Sequence, residues 1–317
     1  MADKSAPLSK VALALKVCHL YYEDGRSQSE IAKQLQLSRP TISRLLQFAR
    51  DQGLVRIEIA DPLDAIDNLA TRLETKYQLQ KCLIVYDASN DGAVINDKLG
   101  ELTADYLDTI VQNNDSIGIS WGRTLEAVAN HLHPSERTGI SVIQLKGSVP
   151  ASDMNNFAND ISTKFGNAFH TTALNLPLPV IFDSAITKDI VLKDRFIKTI
   201  IDAGANTDIA LFTSGTVRDD AMLFKLGYLS PSEISRLQAS SVGDIVSRFL
   251  TADGAVAETD INDRTVGISL EELRHKRYSI LISGSTKKVA SIHGALLGGF
   301  ANVLITDSAS ATALLQM

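Results

Sequence analysis

Lys146 closes the apolar run Val142-Ile143-Gln144-Leu145 and is followed by Gly147-Ser148, so its amine is aimed at the carboxyl edge of whatever sheet that run joins. Two chemistries are open to an amine there. As an ammonium it is a compact point charge that pairs with phosphate. Partly desolvated, it becomes a neutral amine that can attack an aldehyde carbon and form a Schiff base. A pentose 5-phosphate suits the second chemistry, because its blocked 5-hydroxyl cannot close a pyranose ring and more of it stays as open-chain aldehyde.

Three segments, one before Lys146 and two after it in the chain, combine small residues, hydroxyls and cations in the way that anion-holding loops do. They are Ser120-Trp121-Gly122-Arg123-Thr124, Ser214-Gly215-Thr216-Val217-Arg218-Asp219 and Ser283-Gly284-Ser285-Thr286-Lys287-Lys288. Small residues let backbone N–H groups approach a phosphate, and the cation neutralises it. Each alone is also what a routine strand-to-helix turn looks like; three together favour a phosphorylated small molecule. No Walker A sequence and no GxGxxG occurs, which disfavours nucleotides. Gly118-Ile119-Ser120-Trp121-Gly122 matches the GxSxG nucleophile elbow. A hydrolase would need Asp253 or Asp260 with His275 or His293 forced into the partner roles, and no HGGG-like segment precedes the serine.

Positioning such loops requires a sheet whose strand ends converge. From Cys82 onward short apolar runs alternate with amphipathic stretches: CLIVY at 82, SIGIS at 116, ISVIQL at 140, PVIF at 179, DIALFT at 208, YSILIS at 278 and NVLIT at 302, with helices expected over 94–113, 123–132, 155–169, 187–203 and 287–297. That alternation predicts an α/β body with a mainly parallel, Rossmann-like sheet wrapped by helices. In such sheets ligands sit outside the carboxyl ends of the strands, and anions favour helix N-termini.

The first sixty residues have a different character. Ser27 and Glu30 form a capping box that starts a helix, and Ser38 with Pro40 in the first turn starts another after the break at Gln36-Leu37. Ile42, Leu45, Leu46 and Ala49 share one face of the second helix. Its other face carries Pro40, Ser43, Arg44 and Gln47, with Arg39 and Thr41 in the N-terminal turn. This is a helix-turn-helix, and the spacing predicts that Gln28, Ser38, Arg39, Thr41, Ser43, Arg44 and Gln47 contact double-stranded DNA through the major groove. A plain helical hairpin with a solvated polar face is the alternative. Residues 8–22, with Val11, Leu15 and Cys18 on one stripe, supply a third helix, and Leu54 to Ile59 alternates as a small wing strand would. The boundary falls near residue 60. Beyond it, Leu63, Ile66, Leu69, Ala70 and Leu73 predict a connecting helix, which could also serve self-association.

Composition agrees with a two-domain, ordinary globular chain of 317 residues, 44% hydrophobic and 21% charged. The net charge of −6 is unevenly spread: nine basic against six acidic residues up to residue 60 leave +3 there and −9 on the rest. A basic reader on an acidic body follows. Cys18 and Cys82 lack metal-ligand spacing and read as buried hydrophobes in a reducing compartment. Neither a signal-peptide core nor an apolar run of about 18 residues is present, so a cytoplasmic location without membrane contact is expected.

Through SRPTISRLLQFA, DPLDAIDNLA, ISWGRT, VIQLKGS, LPLPVIFD, ALFTSGTVRDDAMLFKLGY, VGDIVSRF, INDRTVGI and SIHGAL, the chain resembles, over nearly its whole length, the SorC-type sugar-binding transcriptional regulators. The resemblance is strongest to their deoxyribonucleoside-responsive branch. It implies a helix-turn-helix domain over 1–60 and, over 61–317, an effector and oligomerisation domain of the phosphosugar-isomerase type. It also implies that Ser120, Gly122, Arg123 and Thr124 cradle a sugar phosphate, that Lys146 meets the aldehyde carbon, and that Gly215, Arg218, Asp244 and Lys288 complete the pocket. The implied molecule is a repressor without cofactor or metal, a homodimer or homotetramer on an operator, released by 2-deoxyribose 5-phosphate. Related regulators of another sugar or polyol, and a phosphosugar isomerase or aldolase carrying a DNA-binding head, are the competing readings. Asn262, Asp263 and Arg264 fit the family pattern without a role that the sequence alone supplies.

Overall fold

The computed structural model describes residues 6–57, 62–87, 91–150, 153 and 155–317. The chain divides into two compact units, 1–61 and 62–317.

In the larger unit, eight strands are described: Lys81–Val85 (β1), Ser116–Ile119 (β2), Ser141–Gln144 (β3), Ile209–Phe212 (β4), Gly243–Ile245 (β5), Arg248–Leu250 (β6), Tyr278–Ile282 (β7) and Val303–Asp307 (β8). Six of them form one parallel sheet in the order β1-β8-β7-β4-β2-β3. Both faces are covered, which is why its strands read as continuous apolar runs. Along β4 the alternation is visible in the packing: Ile209 and Leu211 enter the core that holds Leu99, Leu125 and Phe165, whereas Ala210 and Phe212 enter the opposite one with Leu73, Ile292 and Leu314. Consecutive β2 and β3 lie side by side, but the chain then returns to the other flank of β2 to lay down β4. Strand order therefore reverses between β2 and β4, where the carboxyl-end loops part and leave a crevice.

Three departures from the sequence expectation have physical causes. Pro179–Phe182 forms no strand: Val149–Pro179 and Ile181–Thr265 are isolated bridges, since Pro177 and Pro179 have no N–H to donate to a ladder. The helix expected over 187–203 is two, Ala185–Val191 and Arg195–Ala205, because the Asp194 carboxylate accepts from the Phe196 and Ile197 amides (2.9 and 3.2 Å) and starts the second. An antiparallel hairpin of β5 and β6, joined by Val246-Ser247, was not foreseen.

The connecting helix, Pro62–Tyr77, belongs to the body. Its Leu73 is fully buried, and the Tyr77 hydroxyl meets His293 Nδ1 at 2.6 Å. Cys82 lies buried beside it, and burial pushes its thiol up to about 12.

Among its described residues the smaller unit has three helices, Ala6–Cys18 (α1), Gln28–Leu35 (α2) and Arg39–Asp51 (α3), with a π-helical turn at His19–Glu23. The Ser27 capping box forms as expected, with the Glu30 amide donating to Ser27 Oγ at 3.3 Å and the Ser27 amide to Glu30 Oε2 at 2.8 Å. Ile31, Ile42, Leu45, Leu46 and Ala49 pack against Ala14, Val17 and Cys18 of α1. The buried stripe of α1 is thus Ala14, Val17 and Cys18, while Val11 and Leu15 are only half-buried. Leu54–Ile57 forms no wing strand; Leu54 and Val55 instead lean on the helical core, and residues 58 and 59 lie outside the described residues. Alternation alone cannot make a strand where no neighbour offers a ladder.

Candidate functional site

At the reversal of strand order lies a cavity of about 280 Å³. Its walls come from the loop after β2 (Trp121 to Thr124), the end of β3 (Lys146), the loop after β4 (Thr213 to Thr216), the β5–β6 hairpin (Asp244, Ser247) and the segment after β7 (Ser285, Lys287, Lys288). Among the described lining residues six are cationic (Arg123, Lys146, Arg218, Lys225, Lys287, Lys288) and two acidic (Asp220, Asp244). On a body whose sequence carries −9, such an inversion of sign focuses the field on an anion.

Eight of the nine residues singled out from the sequence line this cavity: Gly122, Arg123, Thr124, Lys146, Gly215, Arg218, Asp244 and Lys288. Ser120 does not. Its amide continues the β2 ladder by donating to Leu211 O at 2.9 Å, and the residue is buried in the sheet. A serine so placed cannot serve as the exposed nucleophile that the GxSxG match would require.

Lys146 is 6% exposed. Its Nζ donates to Ser247 Oγ at 3.2 Å and rests 3.6 Å from the centroid of the Trp121 ring, whose own Nε1 donates to Gly147 O at 2.8 Å. Burial lowers the lysine to about 8, and the charge of Asp244 opposes that shift without reversing it. The amine is therefore held against an aromatic face and a neutral hydroxyl, and it gives up its proton far more readily than an ordinary lysine, with about a tenth uncharged at pH 7. A second buried lysine supplies the contrast. Lys276 Nζ donates to the carbonyls of Gly204 and Ala205, capping the end of the Arg195–Ala205 helix, where a cation is a structural complement to exposed carbonyls. Lys146 has no such duty.

Asp244 is itself buried, and burial raises its carboxyl while Lys146 pulls it down. Its Oδ2 accepts from the Ser247 amide at 3.1 Å, fixing the turn. Gly215 makes room for it: a Cβ at that position would sit 2.0 Å from Asp244 Oδ1. The glycine therefore serves the carboxylate rather than a phosphate approach.

The loop after β2 is suited to the anion. Gly122, at φ 127°, turns the chain into the helix Arg123–His131. The first amides of a helix have no intrahelical acceptor, and the positive end of its dipole faces the same point. Nothing stands within 4 Å of a Cβ built on Gly122, so that point is open. Thr124 Oγ1 donates to Asn96 Oδ1 at 2.9 Å, which orients the hydroxyl from the neighbouring helix. Lys288, half-buried, has its amine lowered by burial, with Asp244 opposing and Arg123 adding to the shift. Arg218 stands at the exposed rim, 3.7 Å from Asp220. The Ser214, Ser283 and Ser291 hydroxyls form a buried chain (2.7 and 3.0 Å) that ties the second loop to the third.

Several contributors had not been singled out: Asn96, Trp121 as the platform under Lys146, and Ser247. The INDR segment now has a role. Asn262 accepts from Arg248 Nη1 with both its side-chain oxygen (2.7 Å) and its carbonyl (3.2 Å), and Arg248 also donates to Ile268 O and Gly267 O. Arg264 pairs with Glu233 and donates to Phe182 O. The Arg248 bonds pin the base of the hairpin that carries Asp244 and Ser247.

In the smaller unit, Arg39, Ser43, Arg44 and Gln47 are exposed on α3, and Ser38 is exposed at its start. Thr41 and Gln28 are half-buried. Ser38 Oγ and Thr41 Oγ1 share a 2.8 Å hydrogen bond as part of the cap, and the Gln47 amide is engaged along the helix by Asp51 (2.7 Å) and Arg50 (2.7 Å). Arg39, Ser43 and Arg44 are thus the side chains most ready for a base edge or a phosphate.

Comparison with known proteins agrees with both halves. Residues 61–316 match a sugar-binding domain family and residues 19–65 the MarR family. The chain is similar to the deoxyribonucleoside regulator of Bacillus subtilis (45% identity, covering 97% of this chain and 98% of that one) and to the sorbitol operon regulator of Klebsiella pneumoniae (30%, covering 96% and 98%). The crystal structure of the full-length sorbitol operon regulator SorC from Klebsiella pneumoniae superimposes with a TM-score of 0.74 at 27% identity, covering 99% of this chain and 100% of that one. The chain belongs to the SorC-type sugar-binding transcriptional regulators, and it is a DNA-binding regulator with a sugar-binding body rather than an enzyme.

Proposed function

We propose that this regulator is a cytoplasmic repressor of deoxyribonucleoside or deoxyribose catabolism whose operator is released when 2-deoxyribose 5-phosphate binds as a Schiff base to Lys146. The observation that carries the reading is the buried Lys146 amine, lowered to about 8 and facing a cation-lined cavity. A neutral amine selects for a carbonyl carbon, and the helix start at Gly122 with Arg123, Thr124 and Lys288 takes the phosphate at the other end. Similarity to the deoxyribonucleoside regulator favours the deoxy sugar. Residues 1–60 read the DNA and residues 61–317 hold the effector and join copies into a homodimer or homotetramer. Two heads then meet half-sites separated by whole helical turns, about 34 Å each. Release requires that the effector bind one head arrangement more tightly than the other.

The test pairs two measurements on the full chain. Operator affinity is expected to fall in the presence of 2-deoxyribose 5-phosphate, and borohydride reduction is expected to leave a covalent adduct on Lys146. An unmodified Lys146 in a responsive protein would refute the Schiff base. Similarity to the sorbitol operon regulator supports a second reading, in which a phosphorylated polyol or another sugar is the effector. A polyol phosphate has no aldehyde, so it would weaken operator binding without any adduct.

A further inference from the structure

The Lys146 amine lies against one hydroxyl, and that hydroxyl is held at a cost. Val246 and Ser247 are the two central residues of the β5–β6 turn, with φ of 44° and 67°. Two-residue hairpins that need positive φ at both positions ordinarily use Asn-Gly. A β-branched valine in that region costs about 1–2 kcal/mol. Strain of this kind persists where the surroundings over-determine it, and it clusters at functional sites. Here the surroundings are the Asp244 carboxylate, which accepts from the Ser247 amide, and the buried Arg248 fork, which ties the strand after the turn to Asn262, Gly267 and Ile268. The result is a wholly buried Ser247 whose Oγ is 3.2 Å from Lys146 Nζ.

We infer that Ser247 relays the protons of imine formation at Lys146. This rests on the Schiff-base reading above. The neutral amine adds to the aldehyde carbon, an N–C bond forms, and the carbonyl π pair moves to oxygen. The nitrogen then carries one proton too many and the oxygen one too few. Direct transfer between them needs a strained four-membered ring. A hydroxyl that accepts from nitrogen while donating its own hydrogen to oxygen closes a six-membered one, and Ser247 Oγ is already placed to accept from the nitrogen. In the second half, the nitrogen lone pair forms the C=N bond and the carbinolamine hydroxyl leaves as water, taking the proton that the lysine ammonium released to solvent when it ionised. The sum is ammonium plus aldehyde giving protonated imine plus water. Ser247 ends as it began.

The experiment is a time course of borohydride trapping on the full chain at saturating 2-deoxyribose 5-phosphate, so that affinity does not enter the rate. Ser247→Gly removes the hydroxyl and suits the positive φ, Ser247→Ala removes it with a smaller backbone change, and Ser247→Thr keeps it while fitting the turn less well. Circular dichroism checks folding. Loss of a positioned proton donor and acceptor typically costs about 10²-fold or more in rate, so Gly and Ala are expected to trap at least roughly 10-fold more slowly, with Thr recovering most of the rate. A purely structural serine predicts the reverse order, because Gly is the variant best matched to the turn. Trapping by Gly or Ala at the wild-type rate overturns the relay, and so does a Thr variant as slow as Gly. If the wild-type chain itself gives no adduct, the failure lies with Lys146 and the Schiff-base reading, and the relay falls with it.

Discussion

Under the proposed function, the exposed face of α3 and the wall of the cavity both meet phosphate-bearing partners, and they do it in opposite ways. On α3, Arg39, Ser43 and Arg44 stand in solvent on one continuous helix, and nothing beyond the helix is needed to space them. In the cavity, Lys146, Asp244 and Ser247 are all under a tenth exposed and come from two places about a hundred residues apart in the chain, the end of β3 and the strained β5–β6 hairpin. A duplex offers a high density of charge at the surface, where solvated cations gain by releasing counterions. The proposed effector offers one phosphate and one carbonyl. Discriminating it requires groups stripped of water, and stripping water is what moves their proton affinities.

The sharpest way to break the buried half is Gly215→Ala. The new Cβ would fall on Asp244 Oδ1, with Ser247 and Lys146 depending on that carboxylate. Overpacking of this kind costs about 1–3 kcal/mol or more. Effector-dependent release is expected to disappear while operator binding in the absence of effector survives. Melting curves and gel-shift titrations with and without 2-deoxyribose 5-phosphate check both. Retained response would show that Asp244 can move without consequence.

Lys146→Met probes the same region through pH. The native lysine sits at about 8 against 10.5 ordinarily. Below pH 8 both folded and unfolded chains carry the proton, and the fold bears the whole cost of the buried ammonium. Between 8 and 10.5 the native amine is neutral while the unfolded one is still protonated, so the unfolded state binds more protons and stability rises with pH. The rise from this one group is about 3 kcal/mol. The variant should lack it. Urea unfolding of both proteins at pH 7 and pH 10 isolates the difference, and equal slopes would place Lys146 in water.

On the solvated side the expected effect is smaller and confined to DNA. Arg44→Ala should weaken operator binding by about 1–3 kcal/mol if the guanidinium reads a guanine. Its melting temperature and Lys146 adduct should match wild type. A change in adduct formation would contradict the separation of the two surfaces.

What the sequence disclosed follows the same division. The helix-turn-helix was legible in Ser27, Glu30, Ser38 and Pro40 because capping is local and each partner lies within four residues. The parallel sheet was legible because strands buried on both faces stay apolar along most of their length, as β4 does throughout. Lys146 stood out as a charge at the end of such a run. The rest depended on contacts between residues far apart. Ser247 was hidden because the Val246-Ser247 turn has no glycine or asparagine to mark it, so VGDIVSRF gave no hairpin signal. Gly215 looked like a phosphate glycine, yet its neighbour is a carboxylate 29 residues later in the chain. Ser120 looked like part of the cradle because composition cannot distinguish the last residue of a strand from the first of a loop. Asn262 acquired a role only once Arg248 was seen to reach it.

Two serines carry the comparison to its finest grain. Ser27 and Ser247 both use their side chains to hold a neighbour, but Ser27 caps a solvent-exposed helix start and Ser247 faces a buried amine. Ser27→Ala removes one acceptor for the Glu30 amide, and the Glu30 carboxylate still receives the residue 27 amide. The expected cost is about 1 kcal/mol. It should appear as faster hydrogen exchange in the first turn of α2 and a modest loss of operator affinity, with borohydride trapping at Lys146 unaltered in rate. Were trapping to slow as well, the head and the cavity would be coupled even without DNA, and the division between a locally built reader and a globally built sensor would have to be given up.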